Sequence, residues 1–260
     1  MSKISVAFLG SHPLGEKCLE QLAKHKDISI DIVVTYPPDE DNWWEGSLYE
    51  TASNLDHNVV SIAEEKQVLD YEIDYLLSVY YPNILGSKLL EHPRELSLNL
   101  HQAELPRYRG SNVFTHSILN ARDDDYWKHG TTLHIMAEDV DAGDVIDRRF
   151  AKIDESDTAW SLYQKVRNKS IKLFQDNLPK IVNKEIEEMR TPQSEFDGPR
   201  YFYQKTSING LKVIPLNEVK KDGVEVYDRI RALDFPPHEP AHTRIQGEKV
   251  YLTLNGYQEF

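Results

Sequence analysis

A chain of 260 residues, 40% hydrophobic with four Trp and fourteen Tyr, can bury a substantial core, which excludes a disordered chain. Forty-three acids against 30 bases leave a net charge of −13 with no run of five bases, which argues against nucleic acid as a partner. The one cysteine, Cys18, rules out an intramolecular disulfide. No apolar run approaches the roughly 20 residues of a membrane helix, and MSKISVAFLGSH lacks the apolar core of a secretory leader. A soluble, cytoplasmic protein without a membrane partner is expected.

Ile4–Leu9 reads as a buried first strand ended by Gly10. Apolar Leu14, Cys18, Leu19 and Leu22 then recur at helical spacing over Gly15–Lys24. The intervening GSHPLG lacks G-x-G-x-x-G spacing and holds Pro13, so a dinucleotide site is rejected. As a turn at a strand's carboxyl end it still places His12 among candidate substrate-binding residues. Ile28–Thr35 is a second strand, stopped by Tyr36-Pro37-Pro38. The polar loop Asp39–Ser47 carries Trp43 and Trp44, either as a flap that stacks a planar ring or as a cover for the core beneath. A short helix from Leu48, an outer strand over Asn58–Ile62, a buried strand over Tyr75–Val79 and a helical turn over Gly86–Glu91 follow.

Leu96, Leu98 and Leu100 alternate into a strand end, and Asn99 and His101, two apart, leave one face of it. A helix is expected over Ser111–Asn120, with His116 on it as a structural or surface residue. Strands over Thr131–Met136 and Val145–Phe150 flank an acidic turn, Asp139–Ile146 (DVDAGDVI), and His134 is read as a packed core histidine. A long helix, capped at Ser156 or Asp157, runs to about Val182. The alternation predicts an α/β fold: a Rossmann-like, mostly parallel twisted sheet with helices on both faces, plus a small mixed α+β C-terminal extension. Boundaries are expected at 1–189, a Pro/Gly-rich linker at 190–199 and a small subdomain at 200–260, with a helix over Val219–Leu233 and a hairpin turning at Gln246-Gly247-Glu248.

An amide, an imidazole and a carboxylate at strand ends form a set suited to nucleophilic attack on a carbonyl. Spacing alone leaves open a buried histidine with a capping aspartate. LNLHQAELPRYRG followed by VDAGDVI resembles the signature of the formyltetrahydrofolate-dependent formyltransferases: Asn-x-His, Leu-Pro-x-x-Arg-Gly and Asp-x-Gly, here Asn99, His101, Leu105, Pro106, Arg109, Gly110, Asp141 and Gly143. LLSVYYPNIL at Leu76–Leu85 resembles the segment that holds the pterin ring, and the likeness runs over roughly residues 1–180.

The resemblance implies N10-formyltetrahydrofolate as co-substrate, a primary amine as acceptor, no metal, and catalysis by Asn99 (oxyanion donor), His101 (proton carrier) and Asp141 (orienting and charging the imidazole). Tyr80, Tyr81, Ile84, Leu85, Asp139, Val140 and Asp144 are the implied folate contacts. Trp43, Trp44, Arg107 and Tyr108 join His12 as candidates for the acceptor, Arg107 as a phosphate ligand; Arg109 is expected to tie down its loop. The tail is short for a methionyl-tRNA enzyme and the molecule as a whole is acidic, and GSHPLG does not resemble the phosphate loop of the glycinamide ribonucleotide enzymes. LSVYY and the length favour the sugar N-formyltransferases, hence a nucleotide-linked, dTDP-type amino deoxysugar, a role in lipopolysaccharide or O-antigen biosynthesis, and a homodimer. The alternatives are a methionyl-tRNA formyltransferase-like enzyme, a non-catalytic folate-binding relative, and hydrolysis of the donor by water.

Overall fold

The structure, a computed structural model, describes residues 3–218 and 223–254. In chain order the elements are β1 (Ile4–Gly10), α1 (His12–Ala23), β2 (Ile28–Thr35), α2 (Leu48–Asn54), β3 (Val59–Ser61), β4 (Tyr75–Val79), α3 (Ser87–Leu90), β5 (Leu96–His101), β6 (Tyr108–Gly110), α4 (Val113–Asp123), β7 (Lys128–Ile135), β8 (Val145–Lys152), α5 (Ala159–Val182), β9 (Tyr201–Tyr203), α6 (Gly223–Leu233), β10 (Ala241–Ile245) and β11 (Glu248–Leu252). The expected helix start at 219–222 lies outside the described residues.

Seven strands form one sheet in the order β3-β2-β1-β4-β5-β7-β8. The first four pairings are parallel, while β5–β7 and β7–β8 are antiparallel. The antiparallel edge lets β7 return directly beside β5, so Asn99 lies opposite His134 in register and His101 opposite Thr132. Chain order reverses between β1 and β4, and at that switch point the backbone N–H of Ser11 donates to the Val79 carbonyl at 3.2 Å. Ligands of open α/β sheets bind outside the carboxyl strand ends at such a point.

The strands are apolar on both faces because both are covered. One face packs Val6, Phe8, Leu77 and Leu98 against Leu14, Leu19 and Leu22 of α1 and Leu173, Phe174 and Ile181 of α5. The other packs Ala7, Leu9, Ile32 and Val34 against Val68, Leu85 and Leu89. Each such side chain, fully buried, contributes roughly 1.5–3 kcal/mol.

Residues 190–199 are not the free linker that their composition suggests. Thr191 and Val145 exchange backbone hydrogen bonds at 2.8 and 2.9 Å, and buried Gln193 donates through Nε2 to the carbonyls of Asp141 and Gly143, both at 2.8 Å. The tail beyond folds back on the sheet domain: β9 pairs in parallel with β6, and α6 buries Arg231 in an ion pair with Asp228. Polar composition signals solvent only when the carbonyls that such residues can satisfy lie elsewhere.

Four buried histidines are held neutral. Burial lowers His12 and His129 to about 3 and His116 and His134 to about 4, from 6.5. The unfolded chain therefore binds more protons than the folded one between pH 6.5 and about 4, so stability is full above 6.5 and is lost as pH falls through that window. Urea unfolding across this range should show a midpoint that drops steeply on acidification, each histidine adding about 1.4 kcal/mol per pH unit to the slope. His129→Gln should remove one histidine's share; a flat profile between pH 7 and 4 would contradict the assignment.

Candidate active site

The turn after β7 carries Asp141 in left-handed backbone at φ 53°, and Gly143 comes so close to β7 that a Cβ would lie 2.0 Å from the Ile135 carbonyl oxygen. Only glycine fits there. Gly110, at φ +85°, is confined in the same way by the Tyr203 carbonyl oxygen, 2.2 Å from a would-be Cβ. Both signature glycines thus fix the backbone that presents the carboxylate, and the Gly110 N–H donates to Asp141 Oδ2 at 2.9 Å.

Asp141 Oδ1 stands 3.7 Å from both His101 Nδ1 and His134 Nε2. Burial opposes its ionisation, but His101, the Gly110 N–H and Arg109 outweigh burial and hold the carboxyl below its ordinary value. The tautomers follow from the carbonyl partners, which only accept. His101 Nε2–H donates to the Tyr108 carbonyl at 3.1 Å, leaving Nδ1 as the basic atom beside Asp141. His134 Nδ1–H donates to the Ile135 carbonyl at 2.8 Å, so its Nε2 lone pair accepts from Asn99 Nδ2 at 3.1 Å. That bond fixes which end of the Asn99 amide is the donor and leaves its second N–H for a ligand.

These groups line a cavity of about 790 Å³, large by the standard of small-molecule pockets, typically roughly 300–1,000 Å³. Asn99, His101, Asp141, Tyr80, Tyr81, Ile84, Leu85, Val140, Trp43 and Trp44 all reach it. Several other expected site residues do not. Asp139 lies outside its wall, and Asp144 pairs with Arg190 at 2.9 Å. Tyr108 is fully buried, stacked on Tyr201. Arg107, expected as a phosphate ligand, is committed to Asp124 at 2.6 Å and stacked over Tyr126, because β6 turns it towards the end of α4. His12 borders a neighbouring polar cleft instead, stacked on Tyr80 at 4.2 Å, edge-on to Trp44 and bonded to the Tyr163 hydroxyl at 3.1 Å. It supports the tryptophans from behind.

Three sets of lining residues escaped the sequence reading. His134 looked like core because it is buried; only its register opposite Asn99 shows its second role. Gln102 follows His101 directly, and its buried amide has no hydrogen-bond partner among the described residues. Lys205, Lys212, Phe235, His238 and Glu239 come from the tail, which no local pattern ties to the sheet edge.

The chain belongs to the formyl transferase family: the model for formyl transferase matches residues 6–178. Its first 163-residue match is to the bifunctional polymyxin resistance protein ArnA of Wigglesworthia glossinidia brevipalpis, at 32% identity over 63% of this chain and 23% of that one. The methionyl-tRNA formyltransferase of Bacillus velezensis is 28% identical over 74% of this chain and 56% of its own length. The chain therefore spans little more than half, or less, of these two relatives. Among solved structures, a sugar N-formyltransferase from Shewanella sp. FDAARGOS_354 superposes with a TM-score of 0.75 at 19% identity, covering 99% of both chains. The N-formyltransferase of Helicobacter canadensis, solved with folinic acid and dTDP-3-aminofucose, gives 0.73 at 22% identity over 99% of this chain and 93% of that one. These structures share the fold.

Gly143→Ala should destabilise the protein by about 1–3 kcal/mol in urea unfolding, because the turn must move away from Ile135. Gly86→Ala, where an added Cβ meets nothing within 4 Å, should stay within about 0.5 kcal/mol. Equal effects at the two positions would refute the close-approach argument.

Proposed function

We propose that the chain transfers a formyl group from N10-formyltetrahydrofolate to the primary amine of a nucleotide-linked, dTDP-type amino deoxysugar. The observation that carries this reading is the convergence of Asn99, His101, His134 and Asp141 on one cavity. The wall beside them fits a pterin: Tyr81, Ile84, Leu85, Leu90, Met136 and Val140 give an apolar bay next to the catalytic edge. Support for the acceptor comes from the sugar N-formyltransferases that share the fold and from the aromatic wall of Trp43 and Trp44.

The reaction forms a C–N bond from the acceptor amine to the formyl carbon, breaks the bond from that carbon to N10, and moves one proton from the amine to N10. Asn99 donates its free N–H to the oxygen on which negative charge develops; losing one such donor costs about 10²–10³ in kcat in other acyl-transfer enzymes. His101 Nδ1 takes the amine proton, and ionised Asp141 stabilises the resulting imidazolium before the proton passes to N10. His134 keeps the Asn99 amide oriented.

Incubation with N10-formyltetrahydrofolate and a panel of amino-sugar nucleotides, glycinamide ribonucleotide and methionyl-tRNA tests the proposal by mass spectrometry. A formylated sugar nucleotide is expected, with Asn99→Ala lowering kcat about 10²–10³-fold. His134→Ala added to Asn99→Ala should cost almost nothing more, since the two act as a unit. Formylated methionyl-tRNA, or formate release without any amine, would refute this choice of acceptor.

A further inference from the structure

The cavity wall comes from two groups of elements. One is the loop after β4 with the turn after β7, which forms the apolar bay. The other is the start of α4, the Trp43–Trp44 loop and the tail, through Lys205, Ile208, Lys212, Phe235 and His238. The two groups differ in charge. Among the described residues, Lys205 and Lys212 are the only lysines or arginines that line the cavity, and both belong to the tail.

In a protein of net charge −13 a doubly anionic ligand needs local cations. Lys205 is exposed and has no ion pair among the described residues. Its backbone is nevertheless held: Asn112 Nδ2 donates to the Lys205 carbonyl at 3.0 Å and to the Gln204 carbonyl at 3.2 Å. Lys212 pairs with Glu239 at 3.4 Å, but Glu239 also pairs with Lys249, so that trio keeps one net positive charge. The Lys212 carbonyl accepts from the His242 N–H at 2.7 Å. Both ammonium groups are therefore flexible ends on fixed mounts, suited to phosphate as point charges.

Two further features bear on this side of the cavity. Gln102 borders the cavity next to His101, and both its amide atoms are shielded from solvent and unpartnered among the described residues. A buried amide in that state needs a polar partner. Trp43 packs on Phe235 at 5.4 Å and on His238 at 5.2 Å, which ties the loop to the tail.

We infer that the tail builds the acceptor subsite: Lys205 and Lys212 hold the diphosphate of the sugar nucleotide. This rests on the reading under Proposed function and assigns the diphosphate to the tail rather than to Arg107, which Asp124 holds outside the cavity. The same lysines could instead meet the glutamate carboxylates of the folate, and the test separates the two anions.

Calorimetric titration of the wild type, Lys205→Ala and Lys212→Ala with dTDP, with UDP and with folinic acid is the experiment. Each lysine variant should bind the nucleoside diphosphates about tenfold more weakly, more so at low salt, while folinic acid binds as in the wild type. Retained folinic acid binding also shows that each variant is folded. Unaltered diphosphate binding in both lysine variants, weakening confined to folinic acid, or no diphosphate binding by the wild type would each overturn the inference. If sugar nucleotides are formylated but the lysine variants bind diphosphate normally, the subsite alone fails. If no amine is formylated, the proposed function fails as well.

Discussion

A carboxylate whose side chain is only 11% exposed is costly unless charge and hydrogen bonds compensate it, and around Asp141 the Gly110 N–H, and His101 once it takes a proton, do so. His101, His134 and the Gly110 N–H surround it, and Gln193 grips its own carbonyl. Each partner arrives on a different element: β5, β7, β6 and the segment after α5. The carboxylate is thus the point at which the sheet edge, the glycine turns and the start of the tail must agree. Moving any of them would leave a buried charge less well paired, a large penalty by the standard of single contacts.

That constraint explains why the sheet turns antiparallel at one edge. A parallel neighbour also sets a residue opposite Asn99, as β4 does with Ser78, but its chain must return through a crossover rather than a direct turn. The antiparallel return of β7 sets His134 there, and the same strand then runs straight into the Asp141 turn. One strand pair therefore supplies the amide, the imidazole that orients it, the second imidazole and the carboxylate, with no long loop to order. Positions fixed by ladder hydrogen bonds lose less precision than loop positions, and precision of placement is what electrostatic stabilisation of a developing charge requires.

Much of this was legible in the sequence, and the residues show why. Asn99 and His101 are spaced by the strand period, and Pro106 and Gly110 break regular structure soon after them, so their common face and their place at the sheet edge are local properties. The parallel core was readable because its strands are continuous apolar runs. His134 was read only as core since burial and function coincide in it. Arg107 was misplaced because a free arginine and one bound to Asp124 look alike until a fold places residue 124 beside residue 107. Lys205, Lys212 and Phe235 lie in the tail, far beyond the signature, where only tertiary structure brings them to the cavity.

The central claim is that the second N–H of Asn99 and the Nδ1 of His101 face one reacting carbonyl. A crystal structure with folinic acid and a dTDP-linked amino sugar tests it most directly. The account predicts the acceptor amine on the His101 side, the Asn99–His134 bond intact, and the site of the formyl oxygen within roughly 3 Å of Asn99 Nδ2. An Asn99 amide turned away from the ligands, or an acceptor bound outside the cavity with its amine remote from His101, would contradict it.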